Sequence, residues 1–363
     1  MFRKLFRRFR FSTDKQVDYY KLTDQIMNAQ VENEELKLAI QKIIFDMKSV
    51  TERAYQFPLV EQVLSSVKSH YLCAAAVEQF VGSMYTPKNE QITQLFLSHA
   101  KKNADNWLER QNTEYHLAYL KKLDASQKGD QAKFDDAQHQ LLELANQGNK
   151  PAQHLVAKEM YKVAMNMMQS KQRKDREKLL KEAYKLFYDC AENEFPHSYY
   201  YIGEMAERGD TPGGIDLKFA LECYFIAAAY ENPQAFFKLA KFHREGIVCE
   251  KDQTLEFHYT KKAAEMGLLD AQHNLGVIYR EGRITKKDDF KALAWFTHAG
   301  NLGFPLSQFN AGMMYWEGAD KIKSNKKAAL VWFEKIQKSG MIDVSQQIRQ
   351  LAKEIEKEIE EEQ

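Results

Sequence analysis

Between Ser198 and Ile336, apolar residues recur at three- and four-residue steps in short runs separated by charged loops, and the runs themselves repeat. Small residues, Ser198, Ala235, Ala271 and Ser307, open alternate runs 37, 36 and 36 positions apart, and a loop glycine keeps the same step at Gly209, Gly246, Gly282 and Gly318. Each interval holds two runs of ordinary helix length. The unit is therefore helix, loop, helix, turn, with first helices expected near 198–208, 234–245, 270–281 and 306–317. Five positions after each small residue stands Gly203, Ala240, Gly276 or Gly312. Glycine in mid-helix costs about 1 kcal/mol relative to alanine, so close approach of a neighbouring helix is expected there. Second helices carry Cys223, Tyr259, Trp295 and Trp332 at one slot and Ala227, Ala263 and Ala299 four residues later, which stacks large side chains over small ones. Gly267, Gly303 and Gly340 follow the second helices as left-handed caps, and Asp252, Asp289 and Asn325 precede them as expected N-caps.

Two copies are close to each other: DAQHNLGVIYREG from Asp270, a charged loop and FKALAWFTHAGNLG, then LSQFNAGMMYWEG and KKAALVWFEKIQKSG. The combination of Ala, Leu-Gly, Tyr, Glu-Gly, a charged loop, Ala-x-x-Trp-Phe and a closing Gly resembles the SEL-one-like repeat, a relative of the tetratricopeptide repeat. The match is close in 270–303 and 306–340, fair in 234–267 and loose in 197–232. A further copy begins at PAQHLVAKEMYKVA with Ala152 as its anchor, and departs from the pattern by the insert MMQSKQRKDREK before a second helix at Leu179–Ala191. The resemblance implies an all-α fold, a right-handed α/α solenoid of helix-turn-helix repeats used as an adaptor, and brings no catalytic residues.

Outside the repeats the helical period persists. Leu22, Ile26, Leu36, Ile40, Ile43, Ile44 and Met47 recur at helical steps, Pro58 suits a first turn, and a helix is expected from Asn89 through Trp107. Residues 14–112 thus read as an N-terminal helical domain, and 113–196 as degenerate repeats, with Glu114–Leu123 and Phe134–Ala145 joined across Lys128-Gly129-Asp130. Residues 197–340 are the repeats proper, and 341–363 a capping helix, Val344–Glu362, with an acidic tail. Only Ile355 and Ile359 are apolar in its last turns, so that end is expected to be solvated.

Residues 1–13, MFRKLFRRFRFST, are basic and acid-free, with Phe2, Leu5, Phe6 and Phe9 near one helical face. That is the composition of a mitochondrial targeting segment, for the matrix or the inner membrane. The competing readings are a basic tail on anionic lipid, hence peripheral membrane contact, or on an rRNA surface, in a cytoplasmic protein.

Composition narrows the function classes. Lys and Arg total 52 against 51 Asp and Glu, so no global field calls for nucleic acid. Only 7 prolines and 16 glycines accompany 44% hydrophobic residues, as a helical chain requires. Cys73, Cys190, Cys223 and Cys249 show no C-x-x-C spacing and no repeat-linked pairing, which points to a reducing compartment. No apolar run reaches 18 residues, so no transmembrane segment is expected. Phosphate-loop, dinucleotide, zinc-protease and EF-hand signatures are missing. His154 and His273 share the slot two after the anchor, too far apart to hold one ion. No cofactor, metal or catalytic set is therefore expected.

What remains is protein binding. At 100° per residue, positions two, six and nine after each anchor fall opposite the packed arc of the first helix. They form three rows: Tyr200, Phe237, His273 and Phe309; Glu204, Lys241, Val277 and Met313; Glu207, Arg244, Arg280 and Trp316. First helices line the inner curve in the family this resembles, so the aromatics and arginines are expected to grip a partner segment. The expected function is a non-catalytic scaffold, an accessory subunit or assembly factor of a multisubunit mitochondrial complex: respiratory chain, ATP synthase or ribosome. The alternatives are a cytosolic signalling or quality-control adaptor and, remotely, a hydrolase.

Overall fold

A computed structural model of the chain describes residues 90–361, apart from 105, 168–172, 194, 321 and 339–341. The targeting segment and the helices expected between Val17 and Thr86 lie outside the described residues. Fourteen α-helices run through the rest: α1 (Glu90–Lys102), α2 (Trp107–Lys128), α3 (Gln131–Asn146), α4 (Lys150–Asn166), α5 (Arg173–Glu192), α6 (Ser198–Arg208), α7 (Leu217–Ala229), α8 (Pro233–Glu245), α9 (Gln253–Glu265), α10 (Leu269–Glu281), α11 (Asp289–Asn301), α12 (Pro305–Glu317), α13 (Lys326–Lys338) and α14 (Ile342–Glu361). The β content among the described residues is one isolated bridge, Ala319 to Ile322. From α2 to α13 each helix packs on the next, making six consecutive hairpins of an α/α solenoid.

First helices of the four repeats start within one residue of the expected positions, because the same chemistry starts and stops them. Pro233 and Pro305 occupy first turns, where the missing N–H has no partner to lose. Gly209, Gly246 and Gly282 end α6, α8 and α10 at positive φ. The helix expected to run from Asn89 through Trp107 is in fact two, because Asn106 accepts from the Glu109 amide at 2.9 Å and starts α2 afresh. The insert before α5 is partly helical: Arg176, in its first turns, pairs with Asp210 at 2.7 Å.

One cap differs from expectation. Asp216, Asp252, Asp288 and Asn325 cap α7, α9, α11 and α13, each accepting from the amide three residues on at 2.9–3.0 Å. Asp288 takes the role expected of Asp289, whose buried carboxylate instead accepts the Asp320 amide at 3.1 Å and pairs with Lys287 at 3.2 Å. Asp288→Ala should lower stability modestly, as a lost cap. Asp289→Ala should cost more, since it removes a buried, charged acceptor that ties the Asp320 amide to the start of α11, and hydrogen bonds to charged groups are the stronger ones. Denaturant midpoints of the two variants check the order, and the reverse order would contradict this assignment.

Successive hairpins are fastened by recurring polar contacts that the apolar pattern does not show. Gln153, Gln272 and Gln308, one position after the anchor, donate to the carbonyls of Ala145, Ala264 and Gly300 at 2.8–3.1 Å, at the end of the preceding second helix. His154 and His273 bond to Ser198 and Ser307, the anchors of the following units, at 2.8 and 3.0 Å. Rings surround both imidazoles: Phe187, Phe195 and Tyr201 about His154, Phe296 and Phe304 about His273. A histidine at this slot thus pairs with a serine anchor.

The last helix closes the end of the stack. Leu351, Ile355 and Ile359 of α14 pack with Phe309, Met313 and Trp316, and Ile355 is fully buried. Glu358 accepts from Trp316 Nε1 at 3.3 Å and pairs with Lys326 at 3.1 Å. Only a narrow seam of these turns is packed, through Ile355 and Ile359 four apart, while Lys353, Glu354, Glu356, Lys357 and Glu360 are exposed, as their charge implies.

Candidate protein-binding face

The three rows read from the helical wheel lie mostly at junctions between consecutive first helices. Tyr200 sits against the rings of Tyr201 and Tyr224, and burial pushes its hydroxyl pKa up. Glu207 accepts from Tyr224 at 2.7 Å and from Lys238 and Lys241 of α8 at 2.7 and 3.3 Å. Burial would raise its carboxyl, but the hydrogen bonds from Lys238 and Tyr224 hold it below the usual range. Neighbouring Glu204 has no such donors, and burial raises its pKa. His273 joins two repeats as described. Arg280 reaches Asn310 at 3.3 Å and Glu317 at 3.8 Å on α12, while Phe309 and Trp316 are met by α14. Phe237 and Arg244 are placed differently: both line an open cavity.

That cavity, about 110 Å³, lies between α8 and α10 with α9 behind it. Its floor is Ala240, Thr260 and Ile278, and Phe237, Val277 and Asn274 form its walls. Lys241, Arg244 and Arg283 stand around it, and Arg283 forks onto the buried carboxylate of Glu256 at 3.2 and 3.5 Å. Arg244 is exposed, and its ion pair is with its own neighbour Glu245 at 3.0 Å. An exposed pair of this kind contributes little, so the guanidinium is available to a ligand.

The cavity has a local cause. A Cβ placed on Gly203, Gly276 or Gly312 would come within 2.9, 2.6 and 2.7 Å of the rings of Tyr224, Phe296 and Phe333. Each ring comes from the second helix of the same repeat and fills the junction. In the α8–α9 repeat the equivalent residue is Thr260 and the glycine slot holds Ala240, both 3% exposed. Losing a ring and adding a methyl leaves unfilled volume, and that volume is the cavity.

These four units are Sel1 repeats. The family model described as the Sel1 repeat matches residues 196–229, 233–268, 269–304 and 305–336; each of the first three spans contains one first and one second helix, and the fourth ends two residues short of the end of α13. No curated protein matches the chain by sequence. Among solved structures it is similar to a Sel1 repeat protein from Oxalobacter formigenes, at 17% identity over 94% of this chain and 95% of that one, with a TM-score of 0.48. It is also similar to a protective antigen of uropathogenic Escherichia coli with an SLR fold (19% identity, 78% of this chain, TM-score 0.40), of whose length it spans 64%. An immunity protein from Pseudomonas aeruginosa is similar at 16% identity, over 62% of this chain and 81% of that one, with a TM-score of 0.42.

Among the described residues no group of His, Cys, Asp and Glu is arranged to hold a metal ion. The Cys249 sulfur lies 3.6 Å from His243 Nδ1. Burial raises the thiol and lowers the imidazole, so both stay neutral and the pair lacks the thiolate a nucleophile needs. Cys223 is buried, with its pKa raised by burial. A cavity of about 110 Å³ is also smaller than the few hundred Å³ typical of small-molecule sites. No described helix is long and apolar enough to cross a membrane.

Proposed function

We propose that this chain is a non-catalytic protein–protein interaction scaffold whose working surface is the side of the solenoid carrying α8 and α10. The observation that carries this reading is the cavity between those helices, apolar at its floor and ringed by Lys241, Arg244 and Arg283, on a fold built of Sel1 repeats. Aromatic and Arg side chains around a partly apolar depression are the groups that most often anchor protein interfaces. Tyr200, His273, Arg280, Phe309 and Trp316 are half-buried and also make contacts within the solenoid. Chemical cross-linking of the full chain in its native source, followed by sizing and partner identification, tests the reading. The expected result is a defined complex larger than the single chain. A chain that runs alone, with no cross-linked protein, would rule the scaffold out.

The finer reading is an accessory subunit or assembly factor of a mitochondrial complex. Its support is the basic, acid-free, amphipathic composition of residues 1–13. Removing residues 1–11 should then leave the protein in the cytosol on fractionation; unchanged distribution would favour the cytosolic adaptor.

A further inference from the structure

We infer that the cavity between α8 and α10 is a socket for one aromatic side chain of an acidic partner segment. The inference rests on the scaffold reading and names the chemistry of what binds. In the other three repeats a ring of the second helix lies against the glycine of its own first helix and extends to the next helix along: Tyr224 to Phe242 of α8, Phe296 into the cluster of Ala311 and Met314 of α12, and Phe333 into that of Ile355 of α14. At the α8–α10 junction the ring is missing, and the space is lined by the floor residues Ala240, Thr260 and Ile278 and by Val277 of the wall. The volume, about 110 Å³, is of the order needed for one ring, since a cavity of about 150 Å³ in another protein takes up benzene.

Charge fixes the character of the segment that carries the ring. In the α6–α7 repeat, Tyr224 reaches the slot nine after the anchor, where its hydroxyl donates a hydrogen bond to Glu207. The same slot beside the cavity holds Arg244, exposed and paired with Glu245 alone. Lys241 and Arg283 add positive charge, although Glu207 and Glu256 already engage them. A ring entering here meets a guanidinium at the mouth, which favours a carboxylate beside that ring and disfavours a lysine.

The other three repeats also supply the variant that tests the socket. Ala240→Gly with Thr260→Phe gives this repeat the glycine and ring of the other three, and should keep or raise its melting temperature while closing the socket. The probe is a blocked peptide, acetyl-Glu-(4-fluoro-Phe)-Glu-amide, followed by fluorine NMR on the full chain. Saturable binding is expected. Affinity should fall at least fivefold with Arg244→Glu, or when lysines replace the peptide's glutamates, and binding should vanish in Ala240→Gly/Thr260→Phe. Should that double variant not fold, Arg244→Glu on the exposed rim carries the test. No saturable binding, equal binding by the lysine peptide, or full binding to the filled variant would overturn the socket. Cross-linked partners that the filled variant retains would leave the scaffold standing and remove only the socket; a chain with no partners removes both.

Discussion

Gly276→Ala should destabilise the protein by about 1–3 kcal/mol, although alanine is the better helix former by about 1 kcal/mol. The sign is informative because two effects oppose. Propensity alone predicts a gain on an exposed helix. Here the added methyl would lie 2.6 Å from the ring of Phe296, which is fully buried, so the ring or its helix must shift. Gly276→Leu should cost more still, with loss of the cooperative thermal transition of that region. The decisive measurement is a double-mutant cycle with Phe296→Thr, which recreates the Ala240–Thr260 arrangement of the α8–α9 repeat. Phe296→Thr alone should cost about 3–5 kcal/mol as a large-to-small change. Ala at 276 should cost nothing in its presence, a coupling of at least about 1 kcal/mol. Additive costs would mean that the two helices do not meet at this pair.

The same pair shows what could be read from sequence and what could not. Self-similarity of the chain placed the first helices, because anchors, loop glycines and glycine slots recur at nearly one period. The cap at Asp288 was legible in principle, since Asp216, Asp252 and Asp288 stand 36 apart, although side-chain chemistry alone does not separate it from the adjacent Asp289. The histidine–serine junctions were legible in principle: His154 and His273 precede Ser anchors, whereas Tyr200 and Phe237 precede Ala235 and Ala271. The socket was legible too, as Thr260 standing where other repeats carry Tyr224, Phe296 or Phe333. What a helical wheel could not give is which neighbour covers a face. Phe309 and Trp316 project from α12 as the wheel requires, yet α14 lies against them. Burial of a solenoid helix depends on the units beside it, and pattern within one helix carries no information about them.

Acidification from pH 7 to 5 should destabilise the solenoid by several kcal/mol, through histidines rather than carboxylates. Burial lowers His154 to about 3 and His116 to about 4, and lowers His273 as well. A histidine whose folded pKa lies below its unfolded value of about 6.5 contributes nothing unfavourable above that value. As pH falls below 6.5 the unfolded chain takes up a proton that the folded chain refuses, so stability drops until the folded pKa is reached. At pH 5 each fully shifted site costs about 2 kcal/mol, hence about 4 kcal/mol for His116 and His154 together. Glu204 works in the opposite sense, since its raised pKa lets the folded state take up a proton first and offsets part of the loss. Glu207, with a lowered pKa, adds to the loss only nearer its unfolded value, below this window. His154→Asn retains a partner for Ser198 without a titrating group. Its stability should therefore fall with pH over 7 to 5 by about 2 kcal/mol less than that of the parent chain. An identical fall in the two proteins would mean that His154 is not held neutral at the junction between α4 and α6, and that the seam there stands on its rings alone.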